Sequence, residues 1–173
     1  QLLLPDWDLG DGAVFLDSAI SGYDYANFGA YDVQLSVETQ HGCADLMLIP
    51  VFVHPVPTSD FNFSNICETD SVLYSDASTI AQGNIDSWEW DFGNTQTFNG
   101  QNPSHQIYLA DDFYPVSLTV TSDSGCVDIL SDTIEVYPAP IAAFSFDSIC
   151  FPLNISYTDL SSENGSYPLT DWA

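Results

Sequence analysis

The sequence predicts an all-β chain of tandem antiparallel β-sandwiches, and three observations predict it. Apolar residues alternate with a period of two, no stretch sustains a helical period, and the whole pattern recurs at a constant numbering offset of 83, as from Trp7 to Trp90. Trp7-Asp8 returns as Trp90-Asp91, Tyr25 as Tyr108, Tyr31 as Tyr114, Gly42-Cys43 as Gly125-Cys126, Pro55 as Pro138, Phe61 as Phe144, Cys67 as Cys150 and Asp76 as Asp159. The register needs no gap until about the last dozen residues. A unit of this size can bury its own core, so the repeat reads as an array of domains.

Each element follows from its residues. Tyr31, Val33, Leu35 and Val37 alternate with polar residues, as do Tyr114, Val116, Leu118 and Val120, so both segments read as strands with one buried face. Each runs into a Gly-Cys turn and then a second strand, Ala44 to Val53 or Val127 to Val136, which makes two hairpins. Pro55 and Pro57, then Pro138 and Pro140, punctuate the chain at one phase and read as short, stiff linkers. After each linker come Phe61-Asn62-Phe63 or Phe144-Ser145-Phe146, a Cys, and Val72-Leu73-Tyr74-Ser75 or Ile155-Ser156-Tyr157-Thr158, short strands at sandwich spacing. Residues 57–138 hold the one complete repeat. Residues 1–56 hold the C-terminal part of a repeat and residues 139–173 the N-terminal part of the next. The two ends share a phase, since Leu4-Pro5-Asp6-Trp7 resembles Leu169-Thr170-Asp171-Trp172.

Composition narrows the setting. Not one Lys or Arg occurs among 173 residues, against 20 Asp and 5 Glu, and the formal charge is −25. Nucleic acid, phosphate and anionic membrane surfaces are gripped through Lys and Arg and are excluded as partners. The acidic residues are spread evenly through a chain that is 45% apolar and 14% aromatic, which is a folded chain with a polyanionic surface and no disordered acidic tail. Such a surface repels itself at low salt, so close assembly should need screening or bridging cations, or bound sugar. No apolar run has the length of a membrane span, and the first residues are neither an initiator Met nor a signal peptide. The chain therefore reads as a mature fragment or a window of something longer.

The segments Ser87-Trp88-Glu89-Trp90-Asp91-Phe92-Gly93, Asn102-Pro103-Ser104-His105-Gln106-Ile107-Tyr108 and Tyr114-Pro115-Val116-Ser117-Leu118-Thr119-Val120-Thr121 resemble the polycystic-kidney-disease (PKD) repeat domain. That family's hallmarks are Trp-x-Trp-Asp-Phe-Gly-Asp-Gly, Asn-Pro-x-His-x-Tyr and Gly-x-Tyr-x-Val-x-Leu-x-Val. Trp7-Asp8-Leu9-Gly10-Asp11-Gly12 nearly repeats the first hallmark, and Tyr157-Thr158-Asp159-Leu160-Ser161-Ser162 resembles the family's second strand. Asn94-Thr95 departs from the Asp-Gly turn, and Asp112 stands where Gly is common. The resemblance implies an Ig-like sandwich of two antiparallel sheets, extracellular or at the cell surface, used as a spacer, adhesive or sugar-facing module. Tandem copies carrying paired Cys are familiar in surface and secreted proteins of Bacteroidetes-type bacteria.

Candidate sites are few. Trp90 reads as the core residue of its sandwich, Trp88 shares its parity, and Tyr31 and Tyr114 read as core or corner residues. Asp8, Asp11, Asp111 and Asp112 offer hard oxygen ligands suited to Ca²⁺, but a dedicated site needs six or more converging oxygens and an Asp-Gly turn uses its carboxylate locally. Diffuse condensation of cations is the simpler expectation. His41, His54 and His105 lie in turn, linker and Asn-Pro-x-His-x-Tyr contexts. No Gly-x-Ser-x-Gly elbow, zinc-ligand spacing or cationic group for a developing anion accompanies them, so no enzyme, catalytic residue or bound cofactor is expected. The four Cys (Cys43, Cys67, Cys126 and Cys150) recur in phase, which with an extracellular setting favours disulfides. The simplest scheme pairs Cys67 with Cys126; the alternative joins the Cys of one unit to the Gly-Cys turn of its neighbour. Ser18, Ser71, Thr133 and Ser148 resemble the Asp-(Ser/Thr)-aliphatic O-glycosylation acceptor of Bacteroidetes-type bacteria, while Asn62, Asn154 and Asn164 fit the N-linked sequon.

These readings lead to one expectation: a non-enzymatic structural repeat protein that forms an extracellular fibre, stalk or filament, its half-domains completed by the next covalent segment or by a neighbouring subunit. Its principal partner is then itself. The rival is an adhesin or carbohydrate-binding accessory module of a secreted enzyme, with polysaccharide as partner through exposed aromatics. A cation-dependent surface-layer component is a further rival.

Overall fold

The computed structural model describes residues 5–64, 67–147 and 154–162. Every regular element in it is a β-strand, in the Ig-like manner. The strands are β1 Asp6–Asp8, β2 Val14–Leu16, β3 Gly29–Glu38, β4 Ala44–Val53, β5 Phe61–Phe63, β6 Ser71–Val72, β7 Tyr74–Asp76, β8 Ile85–Asp91, β9 Thr97–Asn99, β10 Gln106–Ile107, β11 Asp112–Ser122, β12 Val127–Val136, β13 Phe144–Phe146 and β14 Tyr157–Asp159. The second strands of the two hairpins, β4 and β12, begin and end where the alternation and the Gly-Cys turns place them. They divide into two compact units, one built on the residues up to Pro57 with Thr79–Asp86 and Thr121–Asp128, the other on Thr58–Ser78, Ser87–Val120 and Ile129 onward.

In the first unit the strands form a four-stranded antiparallel sheet in the order β2-β1-β3-β4. Direct pairing of Tyr31 with Val51, Val33 with Ile49 and Leu35 with Met47 puts these six side chains on one face. The same register puts Leu46, Leu48 and Phe52 on the other. All of β4 from Ala44 to Phe52 is exposed, including Leu46, Met47, Leu48, Ile49 and Phe52. A strand apolar on both faces is the signature of one covered on both sides, so this sheet carries apolar surface that lies exposed among the described residues.

The second unit has a closed core. The long sheet runs β12-β11-β8-β9, with β5-β7 and β10-β6 as two-stranded sheets. Val116, Leu118 and Val120, alternate residues of β11, are fully buried, as are Ile134 and Val136 of β12. Trp90 is 1% exposed. Its ring meets Phe61 edge-on at 5.5 Å, Tyr74 at 5.9 Å and Phe92 in a stack at 6.0 Å. The indole N–H donates to the Gly100 carbonyl at 3.1 Å, so its one polar atom is satisfied inside the core. Burying a ring of this kind withdraws on the order of 150–250 Å² from water, worth about 4–6 kcal/mol before conformational entropy is charged.

Two backbone positions hold the turn after Trp90. Gly93 has φ +71°, and an added Cβ would lie 2.6 Å from the Pro115 carbonyl oxygen, so only glycine lets the turn approach β11. Thr95 also has φ +71°, an unfavourable conformation for a β-branched residue, where Gly12 occupies the equivalent position one repeat earlier. Asn94 nevertheless keeps the turn, because its Oδ1 accepts the Gln96 N–H at 3.1 Å as Asp11 Oδ1 accepts that of Ala13 at 3.0 Å.

The structure does not show the simplest disulfide scheme. Cys67 and Cys126 are free thiols, as is Cys43; Cys150 lies outside the described residues. Cys126 precedes β12, while Cys67 bridges to Tyr137 just beyond its end. Ten residues of strand separate those points by roughly 30 Å, and a disulfide needs Cα atoms within about 7 Å.

Two outcomes follow. Thr95→Gly should raise the urea midpoint by an amount equivalent to about 1 kcal/mol by relieving the left-handed threonine, and a lowered midpoint would show that its conformation carries no strain. Thiol titration of the native chain should modify exposed Cys43 and Cys67 quickly and half-buried Cys126 more slowly; a non-reducing peptide map with a Cys67–Cys126 link would contradict the strand geometry.

Candidate interaction surfaces

The first unit repeats the local chemistry of the second at equivalent positions of the repeat. Trp7 Nε1 donates to the Asp17 carbonyl at 3.2 Å, as Trp90 does to Gly100. Tyr25 donates to the Leu9 carbonyl at 3.1 Å and Tyr108 to the Phe92 carbonyl at 2.9 Å. Tyr31 and Tyr114 donate to the carbonyls of Asn27 and Ala110, four residues back in each case. The hydroxyls of Thr39 and Ser122 accept the N–H of Cys43 and Cys126, both at 3.1 Å. What differs is cover: Trp7, Val33, Leu35 and Val37 are half-buried, where Trp90, Val116, Leu118 and Val120 are closed off.

A similar contrast appears on the front strands. In β5 and β7, Phe61 is 7% exposed and Tyr74 is 1% exposed. In β13 and β14, Phe144 is 67% and Tyr157 is 68% exposed. Both pairs are antiparallel and tied off by the same serine bonds: Ser78 Oγ donates to the Asp60 carbonyl at 3.2 Å and Ser161 Oγ to that of Ala143 at 3.3 Å. Among the described residues, β4 and the β13-β14 hairpin therefore carry exposed apolar side chains.

The acidic candidates serve turns. Asp8 Oδ1 accepts the Gly10 N–H at 2.9 Å, and Asp112 Oδ1 accepts that of Phe113 at 2.7 Å. Asp11 bridges its own turn to the aromatic ladder Phe15-Tyr23-Tyr25-Tyr31, because its Oδ2 accepts the Tyr23 hydroxyl at 2.5 Å. Asp111 is exposed. Among the described residues no three His, Cys, Asp or Glu side chains are grouped so as to hold a metal ion. The Tyr23 bond was not legible in the sequence, where Asp11 reads as a turn residue or a Ca²⁺ ligand candidate.

The histidines stay apart. His105 and His41 are exposed, His41 beside Gln40. His54 Nδ1 lies 3.0 Å from Ser124 Oγ, which donates to Asp123 Oδ1 at 3.2 Å. Here the serine stands between histidine and carboxylate, whereas a nucleophilic triad needs the imidazole in the middle. Asp123 is instead a turn anchor, held below its ordinary pKa first by the Asn84 backbone N–H and also by the Ser124 hydroxyl. Ser18, Ser71, Thr133, Asn62 and Asn154 are all exposed, while Ser148 and Asn164 lie outside the described residues.

The Asp11–Tyr23 bond has a defined pH window. The Tyr23 hydroxyl, with the Ala13 N–H, holds the Asp11 carboxyl below its ordinary 3.8, and the carboxylate pushes Tyr23 up to about 12. A depressed carboxyl stabilises above its unfolded pKa and loses that contribution as pH falls through the folded value; a raised phenol stabilises below its unfolded pKa and loses it as pH rises through about 12. The bond therefore contributes fully between the two unfolded values. Tyr23→Phe should remove one late-ionising tyrosine from an alkaline absorbance titration and raise the Asp11 pKa measured by NMR, and an unmoved Asp11 would show that the bond does not form in solution.

Comparison with known proteins places the fold in a family. The PKD domain family model matches residues 53–137. A stretch of 66 residues is 42% identical to the pre-pro-metalloprotease PrtV of Vibrio cholerae serotype O1, covering 38% of this chain and 7% of that protein's length. Among solved structures, the PKD1 domain of Vibrio anguillarum Epp is 31% identical with a TM-score of 0.45, and the PKD1 domain of the Vibrio cholerae metalloprotease PrtV is 38% identical with a TM-score of 0.42. Each aligns over 49% of this chain, and over 96% and 98% of its own length. With the Trp-x-Trp-Asp-Phe-Gly strand packed in its core and the Tyr108 corner behind it, the chain belongs to the PKD domain family through residues 53–137.

Proposed function

We propose that the chain is a non-catalytic structural segment: PKD-type sandwiches in tandem, joined by short proline linkers, forming a fibre, stalk or filament of an extracellular or cell-surface protein. The observation that carries this reading is the recurrence of the same hydrogen-bonded turns, corners and aromatic clusters at the constant offset that separates Trp7 from Trp90. Pro55 and Pro57 support it, since both are buried and stiffen the passage from β4 to β5. The chemistry argues the same way, because a sequence without Lys or Arg has no fixed cation to meet a developing oxyanion or transferred phosphate.

A second reading is an accessory module that holds a secreted enzyme against polysaccharide or another polymer. The likeness to a segment of a metalloprotease favours it, as do the exposed Phe15, Phe28 and Phe52. Electron microscopy of the full-length protein in physiological salt decides between the two. Fibres or stalks are expected, with no retention of the chain in affinity electrophoresis through polysaccharide gels. Dispersed monomers that are retarded by a polysaccharide would overturn the structural reading in favour of the accessory one.

A further inference from the structure

The geometry points to a heterologous docking of two copies of this chain, in which the β13-β14 hairpin of one copy packs face to face on the β1-β3-β4 sheet of the other. This rests on the structural reading above and deepens it by naming the surfaces that join. The occupant of the sheet is identified by an internal template. In residues 57–138 the hairpin β5-β7 packs Phe61 and Tyr74 on Trp90 of β8, and β13-β14 is its counterpart one repeat on, just as β1 and β3 are the counterparts of β8 and β11 one repeat back.

Both partners are already shaped for the contact. In the covered hairpin the Phe61–Phe63, Phe61–Tyr74 and Phe63–Tyr74 ring centroids lie 6.4, 6.3 and 6.2 Å apart, at 43°, 62° and 44°. In the uncovered one Phe144–Phe146, Phe144–Tyr157 and Phe146–Tyr157 lie 6.5, 6.2 and 6.4 Å apart, at 39°, 58° and 46°. The opposing sheet holds Trp7 and Tyr25 by the same carbonyl bonds that hold Trp90 and Tyr108. Transposing the template sets Phe144 against Trp7 and Tyr157 against Trp7 and Leu9, with the Tyr157 hydroxyl reaching that of Tyr25 as Tyr74 reaches Tyr108 at 2.8 Å. Phe144 and Tyr157 alone would bury roughly 300–500 Å². The two faces differ, so the contact does not close on itself as a twofold dimer would, and it propagates from copy to copy. Opposing it is a charge of −25 on each copy, screened over about 8 Å at physiological ionic strength.

Sedimentation velocity of the 173-residue chain tests this, run from micromolar to several hundred micromolar in low and high NaCl. Wild type should form a concentration-dependent ladder of species that strengthens with salt. Phe144→Asp with Tyr157→Asp disables the hairpin and, since both residues are exposed in the single chain, leaves folding intact. Val51→Asp, at the exposed inward rim of the sheet, disables the other surface, with Trp7→Ala as a second variant; near-UV circular dichroism reports the Trp90 core in each. Each variant alone should sediment as a monomer, with association weakened at least about 100-fold by an unpaired charge in the contact. An equimolar mixture of hairpin and sheet variants should restore a dimer and nothing larger, because each retains the surface the other lacks. Monomeric wild type at high salt overturns the docking. So does assembly that persists in both variants, which would place the contact elsewhere, for instance on Leu46, Leu48 and Phe52, while leaving the structural role itself standing.

Discussion

The sandwich closes on the contact between Trp90 and the front hairpin. Phe61 and Tyr74 lie against one side of the indole, Phe92 stacks beside it, and the Tyr108 hydroxyl ties the Tyr74 hydroxyl to the Phe92 carbonyl in the buried space behind. Burial pushes both phenols up, Tyr74 far above the ordinary range. The alternation of β11, the bare Cα of Gly93 against Pro115 and the indole bond to Gly100 all serve to bring two sheets together across these rings. A chain without Lys or Arg has little else to draw on. Its only ion pairs would run through three histidines or the amino terminus, and its charge is uniformly repulsive, so sheet-on-sheet burial and hydrogen bonds supply the cohesion.

This dependence explains why β3 and β13-β14 are less buried than β11 and β5-β7 while their local geometry is similar. Turns and corners are fixed by bonds between near neighbours, such as Asp8 to Gly10, Tyr31 to Asn27 and Ser161 to Ala143. They form whether or not a second sheet is present. Core burial is a property of two layers, and among the described residues it is most complete around Trp90 and β11.

Much of the fold was legible because it depends on period and punctuation. β3, β4, β11 and β12 follow the two-residue alternation between Gly-Cys turns and proline linkers, and the buried state of Trp90 follows from its parity. Short pairings were less legible. β2 and β9 have three residues each and no alternation to announce them. The substitution at Asn94-Thr95 read as an altered turn, whereas Asn94 preserves the bond and Thr95 absorbs the strain. Cysteine phase was real, but pairing depends on which end of a strand each thiol occupies, and that is set by the crossover between sheets. The outward apolar face of β4, formed by Leu46, Leu48 and Phe52, also went unread, because a continuous apolar run hides its second face.

Aromatic sheet-on-sheet packing is complete around Trp90, whereas among the described residues β3 is largely half-buried and β13-β14 is exposed. Amide hydrogen exchange at two protein concentrations tests it most directly. The account predicts that Val116 to Val120 are strongly protected at both concentrations, while Val33 to Val37 and the β13-β14 amides exchange quickly in dilute protein and gain protection together as concentration rises. Protection of β3 and β13-β14 that equals that of β11 in dilute protein, or that never changes with concentration, would contradict it.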